Sequence, residues 1–375
     1  MSPIDPEGPS TLLNGLTPAR FMARHWQRRP LLVRGAMPTT GPFVDRAALF
    51  ALAAREGVES RLVVHGAQGW QLRHGPFARR ALPPLAQPHW TLLVQGVDLH
   101  LDAAHALMQR FRFVPDARLD DVMVSYATDG GGVGPHLDSY DVFLLQIHGR
   151  RRWRIGRVAE PALQPDVPLK ILTNFEPEHE WTLEPGDMLY LPPRWGHDGI
   201  AEGECMTCSI GFRTPGRDEL ARELLLRAFD DEEGDDPIYR DPGQPATTRP
   251  GELPEAMLDF AIAGLRRRLA DRGGLARSLG EVLSEPKASV WFEPGTGLPQ
   301  DAGVVADRRT RMMYDRRHVF VNGESYRASG RDATLMRRLA DRRALESADV
   351  AALSDDARAL LDDWMLAGWM HARAD

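Results

Sequence analysis

In the stretch "GGGVGPHLDSYDVFLLQIHG" two metal-binding side chains, His136 and Asp138, stand one residue apart between a glycine run and an apolar strand. Residues i and i+2 of a β-strand project to the same side, so the imidazole and the carboxylate face one point. A third donor follows about sixty residues later in "EPGDMLYLPPRWGHDGI", where a Pro185-Gly186-Asp187 turn, a strand and a Pro-Pro stop lead to His197. Two histidines and one carboxylate on one face of an ion make a facial triad, the donor set of non-haem Fe(II) oxygenases. It leaves adjacent coordination positions for a bidentate co-substrate and O2, which distinguishes it from a closed structural zinc site.

The arginine run in "GRRRWRIG" fits that chemistry. Strand alternation sets Arg151, Trp153 and Ile155 on one face and Arg150, Arg152 and Arg154 on the other. Sharing a face with Trp153 and Ile155, Arg151 points inward, and a buried guanidinium is costly unless paired. The site is therefore expected to take an anion: a dicarboxylate such as 2-oxoglutarate would present one carboxylate to Arg151 in a bidentate pair. Ser125, on the strand "VMVSYA" before the glycines, offers a hydroxyl to the same group. The other three arginines read as a solvated face.

These side chains need strands to hold them. Residues 1–90 read as mixed structure, with a helix at "TPARFMARHWQ" capped by Thr17 and Pro18 and a short strand in "RPLLVRGA". From 91 to 213, "TLLVQG", "VMVSYA", "DVFLLQI", "MLYLPP" and "CMTCSIGF" are strands bounded by Gly, Pro and Asp, without helices between the later ones. That pattern is antiparallel, closed or sandwiched, and not doubly wound. His148 is expected at an exposed hairpin end and His179 in a polar loop, "EPEHEW". Cys205 and Cys208, three apart on a strand, put their thiols on opposite faces and make neither a zinc nor a redox pair.

The character changes after Arg213. Residues 214–285 comprise the helix "GRDELARELLLRAFD", an acidic Pro/Gly-rich linker beginning "DDEEGDD", and a helix from Leu253 striped with Leu258, Ile262, Leu265 and Leu269. Residues 286–375 combine the hairpin "HVFVNGESYRAS", turning at Asn322-Gly323, with the helices "DATLMRRLADRR" and "SDDARALLDDWMLAGWMHA", a winged-helix-like set. The stripe Leu361, Met365, Trp369 beside Trp364 reads as core or dimer contact. This last region holds fourteen Lys/Arg and fourteen Asp/Glu, so direct DNA binding is not expected and a protein-contact role is.

Composition sets outer limits. At 375 residues the chain suggests two to three domains, and 43% hydrophobic with 26% charged residues is a globular composition. No segment approaches the ~20 apolar residues of a membrane span, and no signal pattern opens the chain, so a cytoplasmic protein without a membrane partner is expected. A net charge of -7 argues against general attraction to nucleic acid. The positive charge is almost all arginine, with only Lys170 and Lys287 as lysines; codon bias accounts for that.

"GGGVGPHLDSYDVFLLQIHGRRRWRIG" and "EPGDMLYLPPRWGH", preceded by "HWQRRPLLVRGA", closely resemble the cupin-like, JmjC-type ribosomal oxygenases, in their bacterial arginine-hydroxylating branch. The resemblance implies an α+β chain: a double-stranded β-helix catalytic domain (residues 91–213, with 1–90 as its N-terminal part), a helical dimerisation region (214–285) and a C-terminal winged-helix-like domain (286–375). It implies iron ligands at His136, Asp138 and His197, and 2-oxoglutarate contacts from Arg151 and Ser125. It further implies a homodimer through the helices after the barrel, and hydroxylation of an arginine of a large-subunit ribosomal protein with O2. An arginine substrate needs an acidic or aromatic mouth, for which Asp129, Asp198 and Trp195 are the candidates. The same barrel could serve another protein or a small molecule, or bind at the ribosome without catalysis; only the substrate cleft separates these.

Overall fold

The computed structural model describes residues 5–38, 43–230 and 237–373. The acidic stretch 231–236 of the expected linker lies outside the described residues. The chain divides into two compact units: Met1–Thr214 with Ala288–Trp291, and Pro215–Lys287 with Phe292–Asp375.

The first unit carries helices α1 (Pro18–Arg24), α2 (Arg46–Ala53) and α3 (Asp102–Gln109) against a ten-stranded sheet. Its strands are β1 (Leu31–Val33), β2 (Ser60–Gly66), β3 (Gly69–His74), β4 (Trp90–Val94), β5 (Leu119–Ala127), β6 (His136–Leu137), β7 (Asp141–Arg157), β8 (His179–Leu183), β9 (Met188–Leu191) and β10 (Trp195–Phe212). The main path runs β1-β9-β7-β10-β5-β4-β2-β3, with β6 on β10 and β8 on β7. Helix α1 starts as expected: Pro18 follows Thr17, whose side chain accepts the Arg20 N–H.

Two strands of 17 and 18 residues, β7 and β10, each serve two neighbourhoods. The first half of β7 pairs with β9 and the second with β8; the start of β10 pairs with β6 and its end with β5. The sheet therefore doubles back on itself as a double-stranded β-helix. Alternation then sorts the side chains. Phe143 and Leu145 pack with Phe21, Phe111, Tyr190 and Phe212 in the helix-side core, while Val142 and Leu144 face the interior with Trp153 and Ile155. The inward parity changes from even to odd across Gly149, which turns β7 at φ +60°.

Three local expectations meet the structure here. "EPEHEW" is not a loop: its His179-Glu180-Trp181 begins β8, an edge strand whose exposed polar residues imitate loop composition. His148 is exposed at the β7 corner, as its hairpin-end position implies. Cys205 and Cys208 are both buried and free, in different apolar clusters.

The second unit begins with α4 (Arg217–Asp230), α5 (Glu255–Ala270) and α6 (Arg272–Ser284). Helix α5 buries none of its residues within the chain, and its Leu258, Leu265 and Leu269 are exposed. Next come β11 (Gly303–Ala306), β12 (Met312–Tyr314), β13 (His318–Val321), β14 (Glu324–Arg327), α7 (Gly330–Arg342), β15 (Ala344–Leu345), α8 (Ser347–Ala351), α9 (Asp355–Leu366) and β16 (Met370–Arg373). Helices α7 and α9 bury Met336, Leu339, Leu361, Trp364 and Met365 in one core, so that stripe is core. "WMHA" leaves the expected helix because Gly368, at φ +74°, ends it and the chain continues as β16.

Candidate active site

The doubled sheet brings the metal-binding residues together by register. His197, on β10, pairs directly with His136 of β6 and on its other side with Ile155 of β7. Asp138 follows β6 immediately, and the donor atoms of the three residues all lie within 4.8 Å of one another. His136 Nε2 is 4.0 Å from Asp138 Oδ1, and His197 Nε2 is 3.5 Å from Asp138 Oδ2. Donors held ~2.1 Å from one ion at right angles stand about 3 Å apart, so a small side-chain adjustment closes the set.

Both rings are oriented for this role. His136 Nδ1 lies 2.9 Å from the Gly134 carbonyl and His197 Nδ1 lies 3.0 Å from the Trp195 carbonyl. A carbonyl only accepts, so each Nδ1 carries a proton and Nε2 is the nitrogen left to face a metal. Burial pushes the His197 imidazole down to about 4, with the nearby His136 acting in the same direction against Asp138. His197 is therefore a neutral ligand near pH 7. The Gly134 carbonyl is fixed in turn by its own backbone. Gly134 sits at φ +75°, and a Cβ there would lie 2.7 Å from Ile171 and 2.9 Å from the Trp70 ring.

His136, Asp138 and His197 line a cavity of about 480 Å³ that also receives Ser125, Arg151 and Trp153. Arg151 is 5% exposed, and its Nη1 donates to Ser125 Oγ at 3.2 Å. Its Nε and Nη2 are buried without a hydrogen-bond partner. A buried cation with two unmatched N–H groups beside a cavity has the chemistry to pair with a carboxylate. The outward arginines behave differently: Arg150 lies 3.8 Å from Glu202 and Arg152 lies 3.7 Å from Glu180, on the solvated face.

The three expected mouth residues do not reach this cavity. Asp198 is one residue from His197 and so projects from the opposite face, where it is buried against Arg154. Asp129 accepts the Gly203 N–H at 2.8 Å and serves the loop. Trp195 packs with Ile155 and Leu191, and Arg157 lies over its ring. The wall is instead lined by Asp120, Asp121, Met123, Tyr140 and Lys170. Alternation on β5 carried the signal for two of them: Asp121 and Met123 share parity with Ser125.

Comparisons with known proteins find relatives in both sequence and fold. A JmjC domain model matches residues 106–220 and a ROXA-like winged helix model matches residues 267–371. The X-ray structure of Escherichia coli YcfD superposes with a TM-score of 0.83 at 30% identity, covering 96% of this chain and 98% of that one. This chain belongs to the JmjC-type ribosomal oxygenase family. Among the family's curated members, the ribosomal protein uL16 3-hydroxylase of E. coli K12 is 40% identical over 239 residues, 63% of either chain. A probable ribosomal oxygenase of Haemophilus influenzae is 34% identical over 209 residues, spanning about half of its length. The ribosomal oxygenase YcfD in complex with cobalt and 2-oxoglutarate superposes with a TM-score of 0.79 at 31% identity, covering 96% of this chain and 99% of that one.

Proposed function

We propose that this protein is an Fe(II)- and 2-oxoglutarate-dependent dioxygenase that hydroxylates an arginine side chain of a large-subunit ribosomal protein. The observation that carries the reading is Arg151, a buried guanidinium with two unmatched N–H groups beside His136, Asp138 and His197. The donor set suits a ferrous ion, and the likeness to a uL16 3-hydroxylase and to YcfD bound to cobalt and 2-oxoglutarate supports the same assignment. When bound, the ion with 2-oxoglutarate and O2 supplies the oxidation of a C–H bond, with succinate and CO2 released.

The chain's own residues bind, orient and exclude. His136 and His197 offer their Nε2 atoms, each ring held at Nδ1 by a backbone carbonyl, and Asp138 adds a carboxylate. Arg151 and Ser125 grip the far carboxylate of the co-substrate and so aim its other end toward the triad. Trp153, Val142 and Leu144 keep water from the cavity wall. Asp121 and Tyr140 supply the acceptor oxygens that a substrate guanidinium needs, in place of Asp129, Asp198 and Trp195. The exposed Leu258, Leu265 and Leu269 of α5 support a homodimer through the helical region.

The test is mass spectrometry of ribosomal proteins incubated with the protein, Fe(II), 2-oxoglutarate and O2. A gain of one oxygen on an arginine, abolished by His136→Ala, supports the proposal; no gain with the wild-type protein, or an equal gain with the variant, refutes it.

A further inference from the structure

Strand β3 ends the ten-stranded path, and its outer edge is open. The Gly75 N–H donates to the Ser60 carbonyl at 2.8 Å, which fixes the parity of the pairing with β2. Gln71 and Arg73 direct their backbone groups toward β2, while Trp70, Leu72 and His74 turn theirs outward. Among the described residues none of those three N–H and three C=O groups has a backbone partner outside the strand. The sequence "GWQLRH" carries neither lysine nor proline, and its one charged edge protection is Arg73.

The same three side chains share one face of the sheet, and Leu72 among them reaches the cavity. Leu72 lines it beside its cross-strand partner Val63. Trp70 stacks on its partner His65, ring centroids 4.0 Å apart, and presses on Gly134, two residues before His136. Through Leu72 the cavity lining thus includes a residue of the unpaired edge strand. A segment added beside β3 would lie one strand spacing, about 4.8 Å, from Leu72. Its alternate side chains would share the face on which Leu72 lines the cavity, and Asp121, which already accepts the Gly96 N–H at 3.1 Å, adds a carboxylate to that lining.

We propose that the arginine-bearing segment of the protein substrate docks as an added strand on β3. Its backbone pairs with Trp70, Leu72 and His74, and its target side chain passes over Leu72 into the cavity. The inference rests on the hydroxylase reading above. It makes main-chain pairing the source of affinity and the cavity the source of side-chain choice.

An N-methyl scan of a synthetic peptide carrying the target arginine tests it with the enzyme unaltered. Methylation removes one N–H and blocks pairing at that residue. The expected KM rises about fivefold or more at every second residue and stays near the parent value between them. A flat profile, or loss at consecutive residues, overturns the strand model. Failure of the unmethylated peptide and of the intact ribosomal protein to be hydroxylated would instead overturn the hydroxylase reading. A second readout is amide exchange by NMR, in which peptide binding protects Trp70, Leu72 and His74. Exchange at these three that is unchanged by bound peptide, or protection that appears on raising the enzyme concentration alone, assigns the edge to no ligand or to a second copy and overturns the proposal.

Discussion

Replacing Arg151 by methionine should move ligand affinity and fold stability in opposite directions. In the protein alone the guanidinium makes one hydrogen bond, to a neutral hydroxyl, and buries two N–H groups without partners. Exchanging a buried charge for an apolar side chain of similar volume is neutral or stabilising by about 1–4 kcal/mol. The melting temperature without ligand should therefore hold or rise. With 2-oxoglutarate present, the same two N–H groups would meet a carboxylate in charge-assisted bonds worth about 1.5–3 kcal/mol each. Losing about 3–6 kcal/mol, at about 1.4 kcal/mol per decade, weakens the co-substrate by roughly 10²- to 10⁴-fold. Titration calorimetry of 2-oxoglutarate into Mn(II)-loaded wild-type and R151M protein reads this directly, with melts run in parallel. Arg151→Lys, which keeps the charge and loses the fork, should fall between them. A methionine variant that binds 2-oxoglutarate within a few-fold of wild type, or that melts far lower without ligand, would refute the reasoning.

Gly134→Ala should cost about 1–3 kcal/mol of stability through its positive φ and its collision with Ile171 and Trp70. The same variant should weaken metal binding about 10- to 100-fold, because the Gly134 carbonyl orients His136; unaltered melts and metal titrations would contradict this. Asp129→Asn and Asp198→Asn should leave KM for the substrate unchanged in steady-state assays, since neither side chain reaches the cavity. In the second unit, burial alone would raise the Asp307 carboxyl, but hydrogen bonds from Arg309 and His371 overcome it and hold the group well below the usual carboxylate range. A depressed carboxyl stabilises the fold above its unfolded value of about 3.9, and that contribution fades as pH falls below it. Melts of wild type and Asp307→Asn should therefore differ most near pH 7 and converge in acid; a gap that stays constant with pH would exclude this role for Asp307.

Period-two alternation makes the metal site legible in the sequence itself. It pairs His136 with Asp138, although the strand itself ends at Leu137, and it turns Arg151 inward, because the buried strand β7 tolerates no slip of register. The same rule also separates Asp198 from His197, and the appeal of an acidic neighbour conceals it. It likewise sets Asp121 and Met123 on the face of Ser125, a signal masked because a "DD" pair resembles a strand's solvated start. The β3 edge is beyond reach of the sequence: whether a strand is central or terminal depends on the pairings of every other strand in the sheet. The stop at Gly368 and the strand at His179 are hidden for local reasons, a helical stripe running past its last turn and an exposed edge written in loop residues.

His136, Asp138 and His197 should hold one metal ion with open coordination positions. Optical titration with Co(II) measures it: absorbance should saturate at one ion per chain, shift when 2-oxoglutarate is added, and be lost in His136→Ala. Saturation unaffected by that substitution, or a spectrum that 2-oxoglutarate leaves unchanged, would contradict it.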